Sequence, residues 1–340
     1  MTIWVVLMFL SLMLLLLMGY PVAFTSGAIA LVFGVIFLGI DFFTLLPLRI
    51  WGILTNFTLL AVPLFIFMGV ILDRSGIAED LLETMGKLFG KLNGGLALSV
   101  VIVGAMLAAT TGVVGATVVT MGIIALPTML KHNYSASLAS GTIAASGTLG
   151  QIIPPSIILI LLGDVMGVPV GRLFVGSIIP GLLLVTFFML YILIYAWHKP
   201  SVAPAFNLKQ NNFNYIGLIN TILPPLLLIL SVLGSIFLGI ATPTESAAVG
   251  AIGALILAAC HKKLTFINLQ ESMQQTMKLT SMVFMILIGA TAFGLVFRGM
   301  GGDKLVLDVM SSLPAGVWGF LFASMLLIFI LGFFLDFLQI

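Results

Sequence analysis

Apolar residues run in long blocks along the whole chain, separated by short polar stretches. The blocks 3–18, 22–40, 51–72, 173–197, 218–238, 245–260, 281–297 and 317–335 have lengths near the ~20 residues that cross ~30 Å of hydrocarbon as a helix. Backbone groups in lipid find no water to bond, so each block is predicted to be helical. Two further blocks are apolar but interrupted. Residues 95–130 are cut by Thr110-Thr111-Gly112-Val113-Val114-Gly115-Ala116-Thr117, leaving two arms of ~15 residues, or ~22 Å each. Arms this short predict a re-entrant hairpin, and two short full helices would return the chain to the same side. Residues 134–163 are cut by Ser146-Gly147-Thr148-Leu149-Gly150-Gln151-Ile152-Ile153-Pro154-Pro155-Ser156. Prolines remove amide donors and glycines tolerate non-helical angles, which predicts a helix unwound near mid-membrane.

The polar stretches carry their own information. Residues 77–92 set Glu79, Asp80, Glu83, Lys87 and Lys91 among Leu and Met, the pattern of an amphipathic helix lying on a membrane interface or of a solvated loop helix. Residues 200–216 form the one long polar linker. Thr242-Pro243-Thr244-Glu245 places Thr at a helix N-cap, Pro at the first helical position and Glu three residues after the cap, a capping box; a coupling carboxylate at Glu245 is the competing reading.

Composition fixes the solvent of this chain. With 61% apolar and 7% charged residues, it has too few polar groups to cover a soluble domain, and its net charge of +2 gives no reason to expect nucleic acid. Lone Cys260 excludes a disulfide framework and a cysteine-ligated metal site. The first block has no basic segment before it and no small-residue cleavage site after it, and is read as a retained helix. With the loop after residue 72 placed in the cytoplasm, Arg74, Lys87, Lys91, Lys131, Lys199, Lys209, Lys262, Lys263 and Lys278 fall inside. Arg49, Arg172, Arg298 and Lys304 fall outside, and this excess of inner basic residues supports that orientation. His132, His198 and His261 sit beside inner lysines and read as interface anchors.

The two halves echo each other. Gly19-Tyr20-Pro21 through Ser26 and Gly239 through Ser246 occupy equivalent span-turn-span positions about 220 residues apart, and an odd number of crossings between them makes the repeats inverted. The predicted organisation is a first repeat over 1–199, with scaffold spans, amphipathic helix 77–92, re-entrant hairpin 95–130, broken helix 134–163 and span 173–197. A cytoplasmic linker at 200–216 leads to a second repeat over 217–340, which ends in the first arm of its own hairpin. By this offset the second repeat would close near residue 417, roughly 75 residues further on.

The breaks hold the candidate chemistry. Unwound carbonyls and hydroxyl oxygens suit a dehydrated small cation, and half-helix N-termini offer amides to a carboxylate. Thr111, Gly115, Ser146, Gly147, Thr148 and Gly150 are candidate Na⁺ ligands, since clustered neutral oxygens without an adjacent carboxylate suit a monovalent ion better than Ca²⁺. Thr111, Gly112, Gly115, Thr117, Gln151, Pro154, Pro155 and Ser156 are candidates for substrate contact. Asp336, after a long apolar run, is a candidate in the second hairpin because an unpaired charge there is expensive. The competing reading of a broken helix is a structural kink whose hydroxyls bond their own backbone.

Four segments carry a resemblance: Pro63-Leu-Phe-Ile-Phe-Met-Gly69 with Ser75-Gly76, Thr111-Gly-Val-Val-Gly-Ala-Thr117, Ala145 through Ser156, and Gly239 through Ala248. Together they resemble the large membrane subunit of the tripartite ATP-independent periplasmic (TRAP) transporters. The resemblance implies an all-α polytopic membrane fold of inverted repeats, of the elevator type found in the ion-transporter superfamily, in a bacterial or archaeal inner membrane. It implies a small four-helix membrane subunit and a periplasmic solute-binding protein as partners, and Na⁺-driven uptake of C4-dicarboxylates, sialic acid or similar carboxylates. Against that family the second half stops early, as a C-terminally truncated sequence would. A receptor-independent carboxylate symporter of the same superfamily is the alternative. No intramembrane catalytic pair is seen, so no enzyme and no cofactor beyond the coupling ion are expected.

Overall fold

A computed structural model describes residues 2–111, 114–205, 215–311 and 316–333. Among the described residues there are fifteen α-helices: α1 Thr2–Leu17, α2 Val22–Leu38, α3 Leu46–Leu54, α4 Ala61–Arg74, α5 Ile77–Phe89, α6 Gly95–Thr111, α7 Val114–Lys131, α8 Ala136–Thr148, α9 Ile157–Met166, α10 Val170–His198, α11 Tyr215–Phe237, α12 Pro243–Cys260, α13 Phe266–Gly299, α14 Gly302–Ser311 and α15 Gly316–Leu331. Large apolar side chains such as Phe24, Ile36, Phe187, Trp197 and Ile256 are exposed. In water that surface would drive aggregation, whereas in a bilayer it is the contact with solvent. Of the described helices, α10, α11, α12 and α13 are long and apolar enough to cross a membrane. The α4–α5 pair, bent by 60° at a short break, would add one more span.

Two compact units divide the chain. Met1–Asn56 and Leu279–Ile340 form one, and Phe57–Lys278 the other. In the first, α1 turns Val5, Met8, Leu12 and Leu16 toward Ile29 and Ala30 of α2 and Ala292, Val296 and Met300 of α13, the three- and four-residue spacing of one helix face. Gly289 lies so close to Ser26 and the Ala23 carbonyl that an added Cβ would sit 2.4 Å from the Ser26 hydroxyl.

In the second unit α4 and α12 pack face to face, with buried Phe65, Met68 and Leu72 of α4 and Ala247, Ala251 and Ala254 of α12. Gly76, in a left-handed conformation at φ 77°, turns the chain from α4 into α5. There Ile77, Ala78, Leu81, Leu82 and Met85 are buried while Glu79, Asp80 and Glu83 face outward.

Two expectations from the apolar pattern need correction. Block 51–72 is not one helix: α3 ends at Leu54 and α4 begins at Ala61. Pro63 explains the break, since it has no amide to donate and its ring would collide with the Leu59 carbonyl in a continuous helix. Block 281–297 is the apolar part of a much longer helix. α13 starts at Phe266 and carries Gln270, Glu271, Gln274 and Gln275 in its first turns, polar residues that a search for apolar blocks passes over.

Candidate functional site

The hairpin is tied shut at its base. Tyr134, just beyond α7, has its hydroxyl 3.2 Å from the amide of Leu96 at the start of α6, which donates to it. The turn at Pro200–Val202 and the residue after it complete the closure: Ala203 O accepts from Gly94 N and Val202 O accepts from Ser135 N, both at 2.9 Å. Asn93 Oδ1 accepts from Ala205 N at 3.1 Å. The two arms therefore start and finish at one level. At 17 and 18 residues they rise about 26 Å, less than the thickness of the hydrocarbon core.

The broken helix lies in the fork of this hairpin. α8 ends at Thr148, a 3₁₀ turn covers Leu149–Gln151, and α9 resumes at Ile157. Two close approaches hold the break in place. A Cβ on Gly104 of α6 would fall 2.6 Å from Ser146 Cβ, and one on Gly147 would fall 2.2 Å from Val118 Cγ2 and 3.2 Å from Val118 Cα of α7. Glycine is thus required for backbone approach, on α6 in one case and on α8 in the other. Gly115 lies one turn from Val118 toward the tip, and Thr111 closes α6 two turns beyond Gly104.

Around the break the hydroxyls are already engaged. Ser146, fully buried, donates to Ile143 O at 3.0 Å, and exposed Thr148 donates to Ala145 O at 2.8 Å. Each keeps lone pairs directed away from its donated bond. Gly150, Pro154 and Pro155 are buried and Gln151 is half-buried; the peptide bond between the prolines is cis. Ser156 occupies the N-cap position of α9, yet its hydroxyl makes no cap and donates back to Gln151 O at 2.7 Å. The first-turn amides of α9 are left without that partner. Thr117 is buried on α7. Gly112 and Asp336 lie outside the described residues.

Thr242 and Glu245 serve the α11–α12 turn. Glu245 N donates to Thr242 Oγ1 at 3.3 Å and Thr242 N donates to Glu245 Oε2 at 2.8 Å, a complete capping box. Nearby, Thr244 Oγ1 donates to Phe57 O at 2.9 Å and Ser235 pairs with Ser246 at 2.8 Å.

Sequence reasoning passed over one carboxylate at the hairpin. From Thr84 to Gly163 the chain contains no Asp or Glu, but Asp73 of α4 reaches the second arm and accepts from Thr120 Oγ1 at 3.2 Å. An acidic residue closing an apolar run was the available signal. The adjacent Arg74 turns the other way and pairs with Glu271 and Gln275 of α13.

Known proteins place this arrangement. Residues 9–340 match the family described as tripartite ATP-independent periplasmic transporter, DctM component. A C4-dicarboxylate TRAP transporter large permease protein of Pseudomonas aeruginosa is 30% identical over 293 residues, covering 86% of this chain and 68% of that protein. The sialic acid TRAP transporter large permease protein of Vibrio cholerae serotype O1 is 28% identical over 326 residues, 95% of this chain and 75% of its own. An isethionate TRAP transporter permease protein, DctMQ, of Oleidesulfovibrio alaskensis is 28% identical over 327 residues, 95% of this chain and 51% of its own. With its interrupted helix clasped by a hairpin and its apolar surface turned outward, this multi-pass helical membrane protein belongs to the DctM-component family of the TRAP transporters.

Proposed function

We propose that this chain forms the translocation pathway for Na⁺-coupled uptake of organic acids, delivered by a periplasmic solute-binding protein and with a small four-helix membrane subunit as partner, in a bacterial or archaeal inner membrane. The observation that carries the reading is the clasp: Ser146 and Gly147 of the broken helix sit against Gly104 and Val118 of the two hairpin arms. That geometry brings backbone carbonyls, hydroxyls and the end of α8 against the hairpin arms, and neither the arms nor the break at 146–156 contains a carboxylate. Neutral oxygens at Thr111, Ser146 and Thr148 would hold a monovalent cation. The uncapped start of α9, next to Pro154, Pro155 and Ser156, would face the carboxylate with its amide donors and positive dipole end. Loading the cation would fix the unwound segment and so raise affinity for the acid, and by linkage the acid would raise affinity for the cation. The relatives named for C4-dicarboxylate, sialic acid and isethionate support an anionic cargo without selecting one.

Proteoliposomes holding the chain with its small subunit, supplied with the binding protein and labelled succinate or sialic acid, test this. An inward Na⁺ gradient should drive uptake, and Ser146→Ala with Thr148→Ala should raise the Na⁺ concentration for half-maximal rate by roughly tenfold, the loss of ~1.4 kcal/mol of binding. Uptake that is indifferent to Na⁺, or a double variant with unaltered Na⁺ dependence, would overturn the site. Uptake without the binding protein would favour a receptor-independent symporter.

A further inference from the structure

α8 and α10 leave a groove between them that the transport reading does not use. Ser137, Gly141 and Ala145 present small side chains on one face of α8, while Phe188, Tyr191 and Tyr195 stand along α10 opposite, and the space between is about 340 Å³. Small residues facing aromatic ones make the groove: the α8 face cannot fill the gap that the rings hold open. It runs for about two turns of each helix, ~12 Å at 1.5 Å per residue. Its walls are predominantly apolar, and the rings of Tyr191 and Tyr195 stack 5.8 Å apart and nearly parallel.

The mouth of the groove has a definite charge. The Val202 carbonyl bonded to Ser135 N, and Val202 N bonded to Lys199 O, bring the ends of α7 and α10 together. Lys131, His132, His198 and Lys199 therefore collect at the base of α8. Lys199 Nζ stands over the Tyr195 ring at 5.9 Å, a cation–π contact that points the ammonium back along the groove. No Asp or Glu occurs on α6, α7, α8 or α10, nor from Lys199 to Ala205. The inner excess of Lys and Arg assigns this end to the cytoplasmic leaflet, where anionic lipids concentrate.

We propose that this groove binds an anionic phospholipid, with an acyl chain against Gly141, Phe188 and Tyr191 and the phosphate at Lys199 and Lys131. Cationic side chains above an apolar slot match the two parts of such a lipid, and an adjoining tyrosine pair suits the boundary between headgroup and hydrocarbon.

Native mass spectrometry of the detergent-purified full chain, delipidated and then offered phosphatidylglycerol or phosphatidylcholine, tests the proposal. Phosphatidylglycerol should be retained preferentially. Lys199→Glu should cut that retention by more than fivefold, since each basic charge near an anionic surface is worth about fivefold. Gly141→Leu places its side chain in the slot, from a position where an added Cβ meets nothing within 4 Å; it should abolish the adduct while leaving the thermal unfolding midpoint in place. Equal retention of both lipids, or a Gly141→Leu variant that still holds phosphatidylglycerol, would overturn the proposal. Displacement by millimolar inorganic phosphate would do so as well, by assigning the mouth to a free anion. Loss of the co-purified small subunit from Gly141→Leu, with lipid retention unaltered, would assign the groove to a helix of that partner and likewise overturn it.

Discussion

Two helix contacts in the Phe57–Lys278 unit depend on glycine and meet different neighbours. At the fork of the hairpin, Gly147 faces Val118, whose Cα and Cγ2 both lie within 3.2 Å of where a Cβ would be. In the α11–α12 layer, Gly250 faces Met68 of α4, whose sulfur would lie 2.6 Å from an added Cβ, with Val232 at 3.0 Å. Valine in a helix is locked near one rotamer and its Cα cannot move without its helix, whereas methionine has three rotatable bonds and refills irregular space. The first contact fixes a backbone position beside polar groups. The second fills volume, and the difference separates the candidate site from a core.

Gly147→Ala should have the largest effect. With a stiff neighbour and no room, overpacking of about 3 kcal/mol is expected, seen as a lowered unfolding midpoint in detergent together with loss of uptake; a variant of wild-type stability would break the comparison. Gly250→Ala should cost less, about 1 kcal/mol, because Met68 can swing aside. Met68→Ile in the same background removes that freedom and should enlarge the cost, which sharpens the contrast. Thr242→Ala removes the N-cap of α12 and should cost about 1 kcal/mol, read as faster hydrogen exchange at the Thr244 and Glu245 amides with Na⁺ dependence of uptake unaltered. Gly141→Ala, in open space on α8, should be near neutral or stabilise by roughly 0.5 kcal/mol, since alanine orders a helix at lower entropic cost.

Much of this was legible in the sequence because the signals are local. Gly150, Pro154 and Pro155 weaken a helix by their own chemistry, and the interruption appears at 149–156, although the paired Pro224-Pro225 sit inside α11 without ending it. Thr110 through Thr117 marked the division between two arms, and α6 Gly95–Thr111 and α7 Val114–Lys131 lie on either side of residues 112–113, which are outside the described residues. Local composition was less informative at 51–72, an uncharged block in which the polar Thr55, Asn56 and Thr58 and the collision of Pro63 with the preceding turn mark the division. Long-range partners left no mark at all. Nothing about Tyr134 predicts a bond to Leu96, and nothing about Asp73 predicts Thr120 beside it.

The turn that closes the hairpin has a consequence for how the protein is made. Gly94 N and Ser135 N both wait for carbonyls at Ala203 and Val202, which leave the ribosome only after α8, α9 and α10 have been synthesised. Chains emerge N-terminus first at some 5–20 residues per second, so the base of the hairpin spends several seconds without its strap. Until the far end of α10 arrives, those two amides have water rather than the strap as their partner. A ribosome paused before residue 203 would hold an unlatched hairpin, whose Gly94 and Ser135 amides exchange with water, and one released after it a latched one.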